Sequence, residues 1–256
     1  MAIQFSMQDG TLKLGRYAGA PIHLHMSFFV TAVLLASPYW HRFNLTGLLL
    51  AVLFAVIIFA SILIHELAHA EVARRYRLPA TRIDIHLFGG LVQFPWLPRT
   101  RSQDFAITLA GPMSNLAIGL AAFVLLAIVP APERELIQIG NQYTPGPLVH
   151  GVVEQILRAT AYLNLGLCAV NLIPAFPLDG GKLLHLVIEE RWNPNLATLV
   201  VSGLGLVFAC VSTFVLICTV LAGIPVWAPP EFGLNWRAFQ AARQGRGGWD
   251  VYAYID

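Results

Sequence analysis

The sequence predicts an all-α integral membrane protein, a polytopic helix bundle of about five to six spans with a small β-hairpin or sheet on the cytoplasmic side. Three observations carry that prediction. Of the 256 residues, 57% are hydrophobic and 12% charged, roughly half the charged share of a soluble domain, so the surplus apolar side chains need a solvent other than water. Apolar runs at about 22–38, 46–73, 105–129 and 195–227, with a more polar one near 152–177, reach the roughly 20 residues that cross a hydrocarbon core. Finally, Arg74, Arg75, Arg77, Arg82, Arg99 and Arg101 crowd the connection between the second and third runs, whereas 39–45 holds only Arg42 and 130–149 only Arg134. The positive-inside bias then places the N-terminus and the 72–103 segment in the cytoplasm.

Taken in order, residues 1–20 contain Gln4, Gln8, Asp9, Lys13 and Arg16 with no early apolar stretch. They are expected to be a cytoplasmic segment rather than a cleavable signal peptide, which leaves targeting to the first span. A transmembrane core follows over 22–227. Within its cytoplasmic connection, Ile83, Ile85 and Leu87 alternate with polar residues, Gly89-Gly90 offer a turn, and Leu91 and Val92 resume the apolar pattern. That is a hairpin signal, read either as a ribbon covering helix ends or as an edge strand that pairs with an unwound polypeptide. His86 falls on its polar face without a role. The last run, Asn195 to Trp227, is too long for one untilted span and too short for two with a turn. A broken or re-entrant second half near Gly223-Ile224-Pro225 would return the tail, 228–256, to the cytoplasm. There, Trp236 to Gln244 either lies along the interface or is disordered. Cys168, Cys210 and Cys218 all sit in apolar runs and are expected as free thiols. Nothing repeats, so residues 1–256 read as one membrane-embedded domain, with the lipid bilayer as partner and no nucleic acid.

The chemistry concentrates in His65-Glu66-Leu67-Ala68-His69, an H-E-x-x-H pattern. Residues four apart share a helix face, so both imidazoles can bind one zinc ion while Glu66 reaches a water as general base. Ionisable groups inside a span are costly and mark functional sites. Arg74 and Arg75 follow nine and ten residues after His65, which puts His65 about 13 Å below the surface at a rise of about 1.5 Å per residue. Glu71 is expected only to pair with Arg75, its i,i+4 neighbour. A catalytic zinc needs a third protein ligand. The segment from Asn171 to Gly181, "NLIPAFPLDGG", offers one. Pro174 and Pro177 interrupt the helix and Gly180-Gly181 permit a sharp turn. Asp179 is the one carboxylate there, a candidate ligand or else a cap for the next helix. Because the second span ends where the fourth returns, the two clusters share a side and a depth.

Together, "HELAH", "AGPMSN" and "NLIPAFPLDGG" resemble the site-2 protease family of intramembrane zinc metalloproteases, over roughly residues 10–192. The resemblance implies His65, His69 and Asp179 as ligands of one Zn2+ per chain, Glu66 as catalytic base, and Asn171 as the residue that positions the substrate backbone or stabilises the oxyanion. It implies a metalloprotease domain in a prokaryotic plasma membrane that cleaves a single-span protein or membrane-tethered regulator in or beside its transmembrane segment. The hairpin residues Gly89, Gly90 and Leu91 would hold the unwound substrate. Gly111 and Ser114 fit close helix packing, and Asn115 is read as packing in preference to the alternative, a hydrogen bond near the site. His23 and His25 are read as interface histidines, the alternative being that either lines the entrance to the site. Past residue 192 the likeness ends. The competing class, a non-catalytic metal-binding or metal-transporting membrane protein, needs polar residues along several spans, and the third offers little beyond Thr108, Ser114 and Asn115.

Overall fold

The structure is a computed structural model that describes residues 4–6, 10–36, 45–86, 89–128, 137–139, 142–144, 148–221 and 232–248. Its elements run β1 (Gln4–Ser6), β2 (Thr11–Tyr17), β3 (Ala20–His25), α1 (Ser27–Leu35), α2 (Leu45–Arg75), β4 (Arg82–His86), β5 (Gly89–Gln93), α3 (Arg101–Ile128), β6 (Ile137–Ile139), β7 (Gln142–Thr144), α4 (Leu148–Asn171), α5 (Asp179–Arg191), α6 (Pro194–Leu221) and α7 (Phe232–Arg243). Among the described residues, three helices are long and apolar enough to cross a membrane: Gly47–Arg75 of α2, Arg101–Ile128 of α3 and Pro194–Val215 of α6. Each turns large apolar side chains outward, among them Leu48, Val52 and Val56 on α2, Phe123 and Leu125 on α3, and Val207 and Phe214 on α6. Such continuous apolar belts are stable against lipid and not against water, as a multi-pass membrane protein requires.

The sheet is larger than the expected hairpin. Five strands run in the order β1-β2-β3-β4-β5, antiparallel throughout except for the parallel pair β3–β4. The N-terminal segment therefore supplies three strands, and residues 22–25 belong to β3 rather than to the start of a first span. The described helix that follows, α1, covers only 9 residues, and its expected continuation through 38 lies partly outside the described residues. The physical reason is a change of period. Ile22 and Leu24 alternate with His23 and His25, a two-residue repeat that suits a pleated strand, and parallel pairing with Ile83 and Ile85 satisfies the backbone. Ile83 and Ile85 are fully buried. Ile83 packs with Ala70 and Leu67 of α2, and Ile85 with Phe28 of α1 and Ile58 and Ile62 of α2, so the sheet is seated on the half of α2 that carries the H-E-x-x-H turn.

The ribbon expected at 83–92 is present, in the register Ile83↔Val92 and Ile85↔Gly90. The turn is placed differently. Gly89 and Gly90 lie inside β5, opposite His86 and Ile85, and are strand rather than turn residues; 87–88 lie outside the described residues. Gly89 adopts φ +129°, a conformation open to glycine and strained for other residues.

The chain after α6 folds back. Asn235 abuts Gly205, Phe239 faces Gly203, and the Gly247 amide donates to Asn195 Oδ1 at 2.8 Å. Numbers rise along α7 as they fall along α6, so the helices are antiparallel and the tail returns to the end of the bundle where α6 begins. The break expected at 223–225 lies outside the described residues. Trp236 to Arg243 is helical rather than disordered, and Leu234, Asn235, Ala238, Ala241 and Ala242 of α7 are buried. Cys168, Cys210 and Cys218 are free thiols, the first buried and the other two exposed.

Candidate active site

His65 and His69 occupy successive turns of α2, with ring centroids 4.8 Å apart. Their Nε2 atoms approach to 3.1 Å. From the far end of the sequence, Asp179 Oδ2 comes within 3.1 Å of His65 Nε2 and 3.5 Å of His69 Nε2. The three candidate ligand atoms lie within 4.8 Å of one another. Two imidazole nitrogens and one carboxylate oxygen at this spacing suit zinc in a catalytic arrangement, in which a fourth position stays open. The surroundings fit the same group: a Cβ on Gly111 would collide with Nε2 of both histidines, so α3 contributes a bare backbone where the ion's ligands converge.

Both rings are oriented from behind. His69 Nδ1 donates to the Ile107 carbonyl at 2.7 Å, and His65 Nδ1 donates to Asn115 Oδ1 at 2.5 Å. Each bond commits Nδ1 and leaves Nε2 to the metal. For Asn115 the alternative to packing holds: it hydrogen-bonds a metal-ligand candidate. It is fully buried, and its amide donates to Asn164 Oδ1 at 2.8 Å and to the Ser61 carbonyl at 3.4 Å. Asn164 in turn donates to Ser61 Oγ at 3.0 Å. This network joins α2, α3 and α4 behind His65. The available signal was spacing, since Asn115 stands four residues after Gly111 and so on the same helix face. Asn115→Ala is expected to weaken zinc binding about 10- to 100-fold, the usual cost of losing a partner behind a metal ligand, measurable by chelator competition.

Asp179 is delivered by the proline-broken segment. Helix α4 ends at Asn171, and α5 opens at Asp179. The capping alternative is not realised: the N-cap position belongs to Leu178 without a side-chain cap bond, and the Asp179 carboxylate goes to the imidazoles. Side chains at Gly180 and Gly181 would collide with the Leu172 and Ala175 carbonyls, so only glycine allows the loop to fold this tightly onto the helix start. Lys182 pairs with Asp104 at 2.7 Å and Glu189 with Arg101 at 3.2 Å, tying α5 to the start of α3.

Glu66 is buried and lies directly under β5, where a Cβ on Gly90 would overlap its side chain. Because β5 is the edge of the sheet, the carboxylate sits beside a strand with one hydrogen-bonding side unpaired by the sheet. Leu91, next along, is exposed. Asn171 is not drawn to the triad by its hydrogen bond, which runs from its amide to the Leu167 carbonyl at 3.0 Å within its own helix.

The remaining polar residues settle into structural roles. Glu71 accepts from Arg75 at 3.2 Å as expected, and also from Arg74 and Tyr17, each at 2.8 Å. On the sheet, Asp84 is bonded by Arg82 at 2.8 Å and by His25 Nε2 at 3.1 Å. His23, His25 and His86 share the pleat face of Asp84, opposite Ile83 and Ile85, and so point away from α2. Burial holds His23 and His86 below the ordinary histidine value.

Residues 53–212 match peptidase family M50. The zinc metalloprotease MJ0392 of Methanocaldococcus jannaschii is 28% identical over 202 residues, covering 76% of this chain and 50% of that protein. Rip3 of Mycobacterium tuberculosis, named as a candidate zinc metalloprotease, is 31% identical over 255 residues, covering 93% of this chain and 59% of its own length. The chain therefore spans between half and three fifths of these relatives. Among solved structures, the site-2 protease from Methanocaldococcus jannaschii superposes with a TM-score of 0.56 at 21% identity, covering 92% of this chain and 95% of that one, which shows a common fold. With a family match running from the middle of α2 into α6, and the H-E-x-x-H turn and Asp179 inside it, the chain belongs to peptidase family M50.

Proposed function

We propose that this chain is an intramembrane zinc endopeptidase that cleaves a single-span membrane protein or membrane-tethered regulator in or beside its transmembrane segment. The observation that carries the reading is the convergence of His65, His69 and Asp179 beside Gly111, with Glu66 pressed against an edge strand. His65, His69 and Asp179 would hold the zinc, which would supply Lewis acidity to activate water and polarise the scissile carbonyl. Glu66 takes the proton from the attacking water and passes it to the leaving amine. A substrate helix has its backbone hydrogen bonds satisfied internally and must unwind before cleavage; Gly89, Gly90 and Leu91 on β5 offer the extended segment a strand to pair with. Asn171 steadies the substrate carbonyl once the segment is seated.

We further assign residues 1–256 to one membrane-embedded catalytic domain of five to six spans, three of which are the long apolar helices α2, α3 and α6, in a prokaryotic plasma membrane with the sheet and both clusters on the cytoplasmic side. The arginines around Arg74 and Arg99 support that orientation. The direct test is cleavage of a single-span reporter by the purified chain in lipid, with zinc stripped by a chelator and then restored. Cleavage that disappears and returns with zinc supports the reading; stoichiometric zinc with no cleavage of any single-span substrate tried would favour a metal-binding or transport role. The Gly90→Ala variant is expected to keep its zinc and to lose at least about tenfold in kcat, because the added methyl group displaces the Glu66 carboxylate from its proton-transfer position.

A further inference from the structure

The proposed mechanism leaves α7 unused, yet it touches the site's supporting loop. Asn235 is almost fully buried, and its Nδ2 donates to the Phe176 carbonyl at 2.8 Å, across 59 residues of sequence. Phe176 lies in the proline-broken segment, three residues before Asp179. Its ring is buried with Val201 of α6 and Leu234 and Ala238 of α7, so both its backbone and its side chain are fixed by the returning tail. On the opposite flank, the Leu178 amide bonds to the Ala175 carbonyl at 2.9 Å and the Gly181 amide to the Leu178 carbonyl at 3.0 Å. The segment that presents Asp179 is thereby clamped between the start of α5 and Asn235.

Helix α6 is shaped to admit this clamp. A Cβ on Gly205 would overlap the Asn235 amide, whereas a Cβ on Gly203, two residues earlier, would meet nothing closer than the Phe239 ring at 3.7 Å. One glycine is a seat for Asn235; the other stands in ordinary contact.

We propose that Asn235 is a positioning residue for the third metal ligand, its amide holding the Phe176 carbonyl so that the following turn delivers the Asp179 carboxylate to the two imidazoles. This rests on the reading of His65, His69 and Asp179 as the zinc site. A buried polar hydrogen bond is costly to lose, because the acceptor left behind is far from water. Without it the turn carrying Asp179 gains freedom, and ligand orientation, more than fold, is what suffers.

The test uses the full chain in detergent or lipid, with Zn2+ and Co2+ alone as probes. Asn235→Ala and Gly205→Ala are each expected to raise the zinc dissociation constant about tenfold or more and to alter the visible spectrum of the Co2+-loaded protein, which reports ligand geometry. Gly203→Ala should match wild type in both. If Gly205→Ala acts by displacing Asn235, the double variant binds zinc as Asn235→Ala does, a non-additivity that independent packing damage would not produce. Circular dichroism of the zinc-free proteins separates the effect from unfolding, and Asn235→Ser serves as a milder variant where the alanine fails to fold. Wild-type zinc affinity and Co2+ spectrum in folded Asn235 and Gly205 variants overturn the proposal. Absence of zinc from wild type itself, or its retention by His65→Ala, sinks the metal site instead and leaves the two failures distinct.

Discussion

Glu66→Gln is expected to retain one zinc ion per chain and to lose a factor of about 10² to 10⁴ in cleavage rate, the contribution of a positioned general base. The substitution keeps the volume and removes the group that accepts the proton. Metal content should be unaffected because Glu66 is not among the converging ligand atoms, which come from His65, His69 and Asp179. Its amide would also occupy the space beneath β5 that the carboxylate fills now, so the edge strand stays in place. The measurement is zinc stoichiometry alongside turnover of a single-span reporter in lipid. A variant that cleaves at the wild-type rate would remove Glu66 from the mechanism; one that loses zinc would recast it as a ligand or a structural residue.

Gly111→Ala should be as damaging by a different route, abolishing stoichiometric zinc binding. The added methyl group would collide with Nε2 of His65 and His69 together. Neither ring can retreat freely, since Nδ1 of each is committed to Asn115 or to the Ile107 carbonyl. We expect affinity to fall by at least about 100-fold, beyond what the loss of a single supporting partner costs. Gly119, two turns further along α3, supplies the contrast. A Cβ there would press on the Leu165 side chain at 2.8 Å, which strains the contact between α3 and α4 but not the metal. Gly119→Ala should therefore lower thermal stability and keep its zinc. Equal zinc retention in the two variants would show that α3 does not shape the coordination sphere.

The residues that announce the site are legible because their information is local. An H-E-x-x-H pattern on a helix places two imidazoles on one face by geometry alone, and Asp179 stands out as the lone carboxylate in a segment where prolines forbid a helix. Other features were hidden for physical reasons. Hydropathy averaged over a span-length window treats Ile22 to Leu35 as one apolar run, and it conceals the two-residue alternation that puts β3 into a sheet. Asn115 was ambiguous because a small-residue face suits both helix packing and support of a ligand, and the difference lies in what His65 Nδ1 meets. The turn between β4 and β5 was misplaced because Gly89-Gly90 are what a turn would use; here their lack of side chains serves the approach of β5 to Glu66.

By itself, the sequence determined that the chain seeks lipid, that two histidines and a glutamate fall on successive turns of one apolar helix, and that a proline-broken segment carries a lone acid. Those properties follow from composition and from the fixed periods of helix and strand. Only the tertiary structure decided that Gly111 leaves room for the ligands, that Asn115 and Ile107 aim the rings, and that Asn235 steadies the loop before Asp179. Each of these depends on contacts between segments far apart in the chain, set by helix packing and strand register that no local pattern encodes.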